Sequence, residues 1–260
     1  MGYSRIRYAV AERKAKITLS RPEKRNAVDD IMVQELTAAF TAAGKDSSVR
    51  VIVLDHQGSV FSAGADLAYL GRMSQFDLEQ NLTDSRTLAH LFRLIMEIRK
   101  PVIAAVDGPA LAGGCGLATC CDFVLASAEH AVFGYPEVRI GFIPAIVSVV
   151  LLRRIPEGKV RELIVSGNTI DASEAMRLGL VTSVHAAQDL PAAVEQLAGE
   201  LATRNSLTAM GLCKELLARV GGMNFPDALE LAANMNAAAR MTADCKAGVE
   251  AFLHKEQKNW

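Results

Sequence analysis

The sequence predicts a mixed α/β protein: a mostly parallel sheet flanked by helices, followed by a helical C-terminal region. Two observations carry this. Short apolar runs alternate with helix-length periodic segments up to about residue 143, and beyond that point the periodic segments have helical spacing. A third observation says where to look for function: two strands lead directly into turns rich in small residues.

In chain order, "AKITLS" reads as a strand, and "VDDIMVQELTAAFTAAGKD" as a helix with apolar residues at Ile31, Leu36, Ala39 and Phe40. "VRVIVLD" is a buried strand, the loop "HQGSVFSAGADL" follows, and a helix runs across roughly 75–98. "KPVIAAVDG" is a third strand, with Pro101 near its start, where a missing N–H matters least. The turn then opens an apolar helix, "GGCGLATCC", and "DFVLAS" is a further short strand. Helical segments follow over 144–154, 156–166, 172–178, 189–203, 206–219 and 226–256.

Composition narrows the function classes. A chain of 260 residues with 50% apolar and 22% charged residues has the profile of a globular protein with a sizeable core. The net charge of −1 provides no global field for nucleic acid or an anionic membrane, so neither is an expected partner. Five cysteines without a C-x-x-C pair argue against a metal or disulfide framework, and the dispersed histidines lack metal-ligand spacing. No metal site is expected. The start "MGYSRIRYAV" has no apolar signal core, and the run "FIPAIVSVVLL" ends too soon at Arg153 to span a bilayer. A cytoplasmic location is the expectation.

The chemistry centres on "DGPALAGGCGLATCCD" (107–122). At a helix start the backbone N–H groups lack intrahelical acceptors and the dipole is positive, so such a turn can hold an anion. Dinucleotide binding fits poorly, because Thr119 stands where that fingerprint wants Gly or Ala. No G-x-x-x-x-G-K-[ST], G-x-S-x-G or H-E-x-x-H motif occurs. Close packing of a helix on the sheet would account for these glycines equally well. "FSAGADL" (61–67) changes that balance: a second strand leads into a second turn of small residues, and two such turns aim two donors at one oxygen.

"RPEKRNAV", "FSAGADL", "KPVIAAVDGPALAGG", "CDFVLASAEHAVFGYPEVRIGFIP" and "EAMRLGLV" occur in the order and approximate spacing of the crotonase, or enoyl-CoA hydratase/isomerase, superfamily. The resemblance covers nearly the whole chain. It implies an α/β fold, a crotonase-type spiral of ββα units, with residues 1–200 as the core. Residues 201–260 are then a helical region for oligomerisation and for covering CoA. It also implies a homotrimer or hexamer, and an acyl-CoA substrate whose CoA is part of the substrate, with no separate cofactor.

The same resemblance places oxyanion donors on the backbone N–H groups of Ala65 and Gly113, and an acid/base on Glu137 within "GYPEVRIG". It places CoA contacts on Arg25 and Ala27, and on Phe252 and Lys255 of "GVEAFLHKEQK", often supplied by a neighbouring subunit. Ala63, Asp66, Leu67, Tyr69 and Gly114 line the substrate path, with Met73 beside Tyr69. The chain departs from the two-glutamate hydratase pattern at one position: Gly116 stands where the second acid belongs. The leading expectation is hydration of a 2-enoyl-CoA. The alternatives are Δ3,Δ2-enoyl-CoA isomerisation with one base, and a non-catalytic acyl-CoA- or RNA-binding member. Glu137 argues against the last, as does the net charge for RNA.

Overall fold

A computed structural model describes residues 2–260. The chain opens with an antiparallel hairpin, β1 (Ile6–Ala11) and β2 (Lys14–Leu19). Next come α1 (Asp30–Lys45), β3 (Val51–His56), α2 (Leu67–Met73), α3 (Leu78–Glu97) and β4 (Val102–Val106). β5 (Pro109–Leu111), α4 (Gly113–Thr119), β6 (Phe123–Ser127) and β7 (Val132–Gly134) follow. Then come α5 (Ala145–Leu151), α6 (Glu157–Ser166), β8 (Thr169–Asp171), α7 (Ala172–Leu178) and β9 (Ser183–His185). Four helices close the chain: α8 (Leu190–Arg204), α9 (Leu207–Val220), α10 (Phe225–Arg240) and α11 (Ala243–Leu253).

The strands divide between two sheets. The larger has the order β1-β2-β3-β4-β6-β9, parallel from β2 onward, and the smaller has the order β5-β7-β8. Successive strands therefore alternate: β4 enters the large sheet and β5 the small one, then β6 the large and β7 the small. This alternation is the ββα spiral that the resemblance implies. Two single-residue parallel bridges, Val28 with Ala65 and Ser62 with Ala110, extend the small sheet into the loop after β3.

Each face of the large sheet is covered. Ile52, Leu54, Val102 and Ala104 face Met32, Leu36 and Phe40 of α1 and Leu91, Phe92 and Ile95 of α3. Their neighbours Val51, Val53 and Ile103 face Leu190, Val194 and Ala198 of α8. Strands buried on both faces read as continuous apolar runs, which is why "VRVIVLD" and "KPVIAAVDG" were legible.

The expected helices are present, with two differences. The segment read as one helix over 226–256 is two, because Thr242 ends one and caps the next by accepting the N–H of Cys245. The loop read as running to Leu67 gives way at that residue to α2, whose N-cap is Asp66. The sequence reading also passed over β1, β5, β7, β8 and β9. The last four are three-residue or single-layer pairings too short for any period to register. Among the described residues no helix is long and apolar enough to cross a membrane.

Candidate active site

The turn that carries Ala65 is shaped by its bridge with residue 28. Val28 N–H donates to Gly64 O at 2.7 Å, and Asp66 N–H donates to Val28 O at 2.9 Å. In a parallel bridge of this kind the N–H of the middle residue, Ala65, points to the opposite edge, and it meets no acceptor among the described residues. Ala63 N–H donates to Arg25 O at 3.0 Å, which sets Arg25 and Ala27 alongside the same turn. Asp66 commits its carboxylate internally: Oδ1 accepts the N–H groups of Ala68 and Tyr69 at 2.8 and 3.0 Å, and Oδ2 pairs with Arg21 at 2.8 Å. Desolvation pushes this carboxyl upward, but the two N–H groups and the Arg21 charge hold it below its ordinary range.

The turn that carries Gly113 is shaped by packing. Leu111 N–H donates to Ser62 O at 2.9 Å, and Ala112 N–H donates to Gly134 O at 2.8 Å. A Cβ on Gly114 would lie 2.5 Å from Ser62 Cβ and 2.7 Å from Ser62 O, and one on Gly64 would lie 2.6 Å from Ala112 Cβ. Glycine at both places lets the two turns touch. Ala112 sits at φ 51° and ψ −129°, backbone that favours glycine, and it is the residue that delivers Gly113 as the first residue of α4. Gly113 N–H consequently has no intrahelical acceptor, and no other acceptor for it is found among the described residues.

Glu137 arrives on the next track. Gly134 accepts from Ala112 and ends β7, and Glu137 lies three residues on, in the 3-10 turn Pro136–Ile140. Its charge is felt at Cys115, the third residue of α4. Glu137 Oε2 is cut off from solvent and has no hydrogen-bond partner among the described residues. Burial pushes the Glu137 carboxyl above its ordinary range, opposed in part by a backbone N–H. A carboxylate so placed suits proton exchange near neutral pH. The neighbouring thiols do not compete for that role, since burial pushes Cys115 and Cys121 up to about 12.

Gly116 is a packing residue. A Cβ there would strike Val147 Cγ1 of α5 and come within 2.8 Å of the Phe92 ring of α3. Both side chains are buried, so α4 seats against α3 and α5 with no volume for a second acid.

Around the small sheet the chain therefore gathers Ala63, Ala65 and Asp66 on the loop after β3, Gly113 and Gly114 at the start of α4 and Glu137 after β7, with Arg25 and Ala27 beside the first of these. Leu67 is exposed at the start of α2, and Tyr69 follows it, its hydroxyl donating to Asp84 with Arg72 5.0 Å from its ring centroid. Phe252 and Lys255 do not join the gathering within one chain: both are exposed, at the end of α11 and just beyond it. Arg21 is largely shielded against Asp29 and Asp66, whereas Lys24 and Arg25 beside it are exposed. Sequence reasoning missed Asp29, Ser62, Ala112, Phe92 and Val147 altogether. Asp29 carries a local signal as the N-cap of α1, while the contacts that place the other four join distant parts of the chain.

Residues 11–260 match the enoyl-CoA hydratase/isomerase family. A Thermus thermophilus relative, itself only provisionally named an enoyl-CoA hydratase, is 42% identical, covering 93% of this chain and 94% of its own. The crotonyl-CoA hydratase of Syntrophomonas wolfei is 34% identical over 100% of this chain and 99% of its own. The crystal structure of an enoyl-CoA hydratase from Shewanella pealeana superposes with a TM-score of 0.93 at 29% identity, covering 99% and 96% of the two chains.

Proposed function

The chain belongs to the enoyl-CoA hydratase/isomerase family, and we propose that it is an enoyl-CoA hydratase, adding water across the double bond of a 2-enoyl-CoA. The observation that carries the site assignment is the pairing of two acceptor-free backbone N–H groups, Ala65 and Gly113, with a half-buried carboxylate, Glu137, whose Oε2 is shut off from solvent and unpartnered. The two N–H groups hydrogen-bond the thioester oxygen as it gains charge, each worth about 3–4 kcal/mol in the transition state. Glu137 takes a proton from water as its oxygen bonds to Cβ. The protonated Glu137 then delivers a proton to Cα of the enolate, so one water is added and the carboxylate is regenerated. Backbone groups and pocket water assist where Gly116 has no carboxylate.

Arg25 and Ala27 flank the CoA end, and Ala63, Leu67, Tyr69 and Gly114 line the path of the acyl group. CoA is part of the substrate and no further cofactor is called for. Phe252 and Lys255 act on CoA from a neighbouring subunit of a homotrimer or hexamer. The exposed apolar residues Phe225, Leu229, Met241, Val249, Phe252 and Leu253 of the last two helices support such an assembly. The expected cytoplasmic location belongs with this reading.

One observation favours a second reading, Δ3,Δ2-enoyl-CoA isomerisation: the volume beside Gly116 is filled by Phe92 and Val147, and one base suffices to move a proton between C2 and C4. Purified protein given crotonyl-CoA and 3-hexenoyl-CoA, with products resolved by chromatography, separates the two. Conversion of crotonyl-CoA to 3-hydroxybutyryl-CoA is the expected result. Conversion of 3-hexenoyl-CoA alone replaces hydratase by isomerase.

A further inference from the structure

We infer that Arg21 is a positioning residue for the oxyanion donor Ala65, an inference that rests on the reading of Ala65 given above. Arg21 Nη1 stands 2.8 Å from Asp66 Oδ2 and 3.1 Å from Asp29 Oδ2, and it donates to Ala27 O at 3.1 Å. The three side chains are 12%, 8% and 6% exposed for Arg21, Asp66 and Asp29, so the cluster is largely out of water.

The partners of Arg21 bracket the bridge that aims Ala65. Asp29 follows Val28 and Asp66 follows Ala65, and Val28 and Ala65 are the bridged pair. Each aspartate also caps a helix: Asp29 Oδ1 accepts Met32 N–H at 2.8 Å at the start of α1, and Asp66 caps α2. One guanidinium nitrogen thus ties together the two helix starts and the two strands from which the donor projects. Asp29 has a second cation, Arg5, at 2.9 Å. Arg21 is the cation that Asp66 pairs with among the described residues. Without it, two buried carboxylates face each other across the bridge, and a buried charge left unpaired relaxes by moving toward water. The chain that moves is the one holding Ala65 N–H. A donor displaced by about 1 Å costs on the order of 10²-fold in rate.

The test compares wild type with Arg21→Ala, Arg21→Lys and Asp66→Asn. Steady-state kinetics with crotonyl-CoA provide kcat and KM. Calorimetry compares acetoacetyl-CoA, which ionises to an enolate, with butyryl-CoA, which does not. Arg21→Ala is expected to lower kcat about 10–100-fold with KM within about threefold, and to cut the preference for acetoacetyl-CoA by a similar factor. Arg21→Lys recovers part of this, because the ammonium keeps the charge but ends about one bond short. Should Arg21→Ala fail to fold, Asp66→Asn carries the test. Its Oδ1 still caps α2 while the pair with Arg21 is gone, and the same split is expected at smaller size. A folded Arg21→Ala or Asp66→Asn protein with wild-type kcat and wild-type enolate preference overturns the inference. So does a parallel loss of affinity for both ligands, which is the mark of a merely structural role. Wild-type protein lacking both hydration and the enolate preference overturns the reading of the site itself, and this inference with it.

Discussion

The two donor turns present the same chemical group, a backbone N–H without an acceptor, and are held by opposite means. The Ala65 turn is held by charge: Arg21 pairs with Asp66 and Asp29, and a one-residue bridge does the rest. The Gly113 turn is held by contact and strain: Gly114 sits against Ser62, Ala112 is forced into a left-handed backbone, and α4 is buried from Gly114 to Thr119. The Ala65 turn is therefore sensitive to side-chain charge, and the Gly113 turn to added volume. A catalytic feature that uses only backbone leaves its supports free to be of either kind.

The largest expected effect breaks the packed turn. Gly114→Ala places a Cβ 2.7 Å from a backbone oxygen, Ser62 O, which cannot turn aside. Overpacking of this kind costs about 1–3 kcal/mol, and with the donor turn displaced hydration of crotonyl-CoA should fall below detection. Circular dichroism reports whether the fold goes with it. A variant with wild-type melting and turnover would remove volume as the support of this turn.

Glu137→Gln comes next, because both turns serve the base beside them. Activity with crotonyl-CoA should fall by roughly 10²–10⁴. Stability should move the other way. Burial holds the folded-state carboxyl above its ordinary range, so the unfolded chain releases this proton first as pH rises. Ionisation of Glu137 therefore costs the folded state stability across the window from the ordinary carboxyl pKa up to the raised one, and above it the full cost persists. The Gln variant is expected to melt above wild type at neutral pH, with the two curves meeting below the ordinary carboxyl range. Equal melting temperatures at every pH would show that burial does not strain Glu137, and full retained turnover that it is not the base.

The smallest effect sharpens the contrast. Ala112→Gly relieves backbone strain of about 1 kcal/mol and adds a comparable flexibility to the unfolded chain. Melting should shift by only a few degrees and kcat by no more than about threefold. A loss near that expected for Arg21→Ala would mean that strain, rather than packing, aims Gly113.

Legibility in the sequence followed the range of the interactions. The inner strands were readable because they are buried on both faces, and most helices because their apolar spacing repeats over several turns. The break between α10 and α11 was not, since apolar spacing continues through Met241 and only the Thr242 hydroxyl, turned back onto Cys245 N–H, marks a new start. In the site, Ala65, Gly113 and Glu137 were reached through motif order, whereas Arg21 was given no role of its own. Its role depends on Asp66, 45 positions later in the chain. Gly116 was read as a missing acid, and the structure adds that the space is already full.

By itself the sequence determined which chemistry is on offer: small residues after strands, one acid in an apolar segment, and a charge balance that provides no global field for nucleic acid or an anionic membrane. These are local properties of composition and spacing, and they survive without coordinates. Tertiary structure alone decided how that chemistry is aimed. The direction of an N–H, the desolvation of Glu137 and the filling of the volume beside Gly116 arise where the loop after β3, the α4 turn and the segment after β7 meet in the small sheet. Such effects act over a few ångströms, and it is the fold that brings residues separated by tens of positions within that distance.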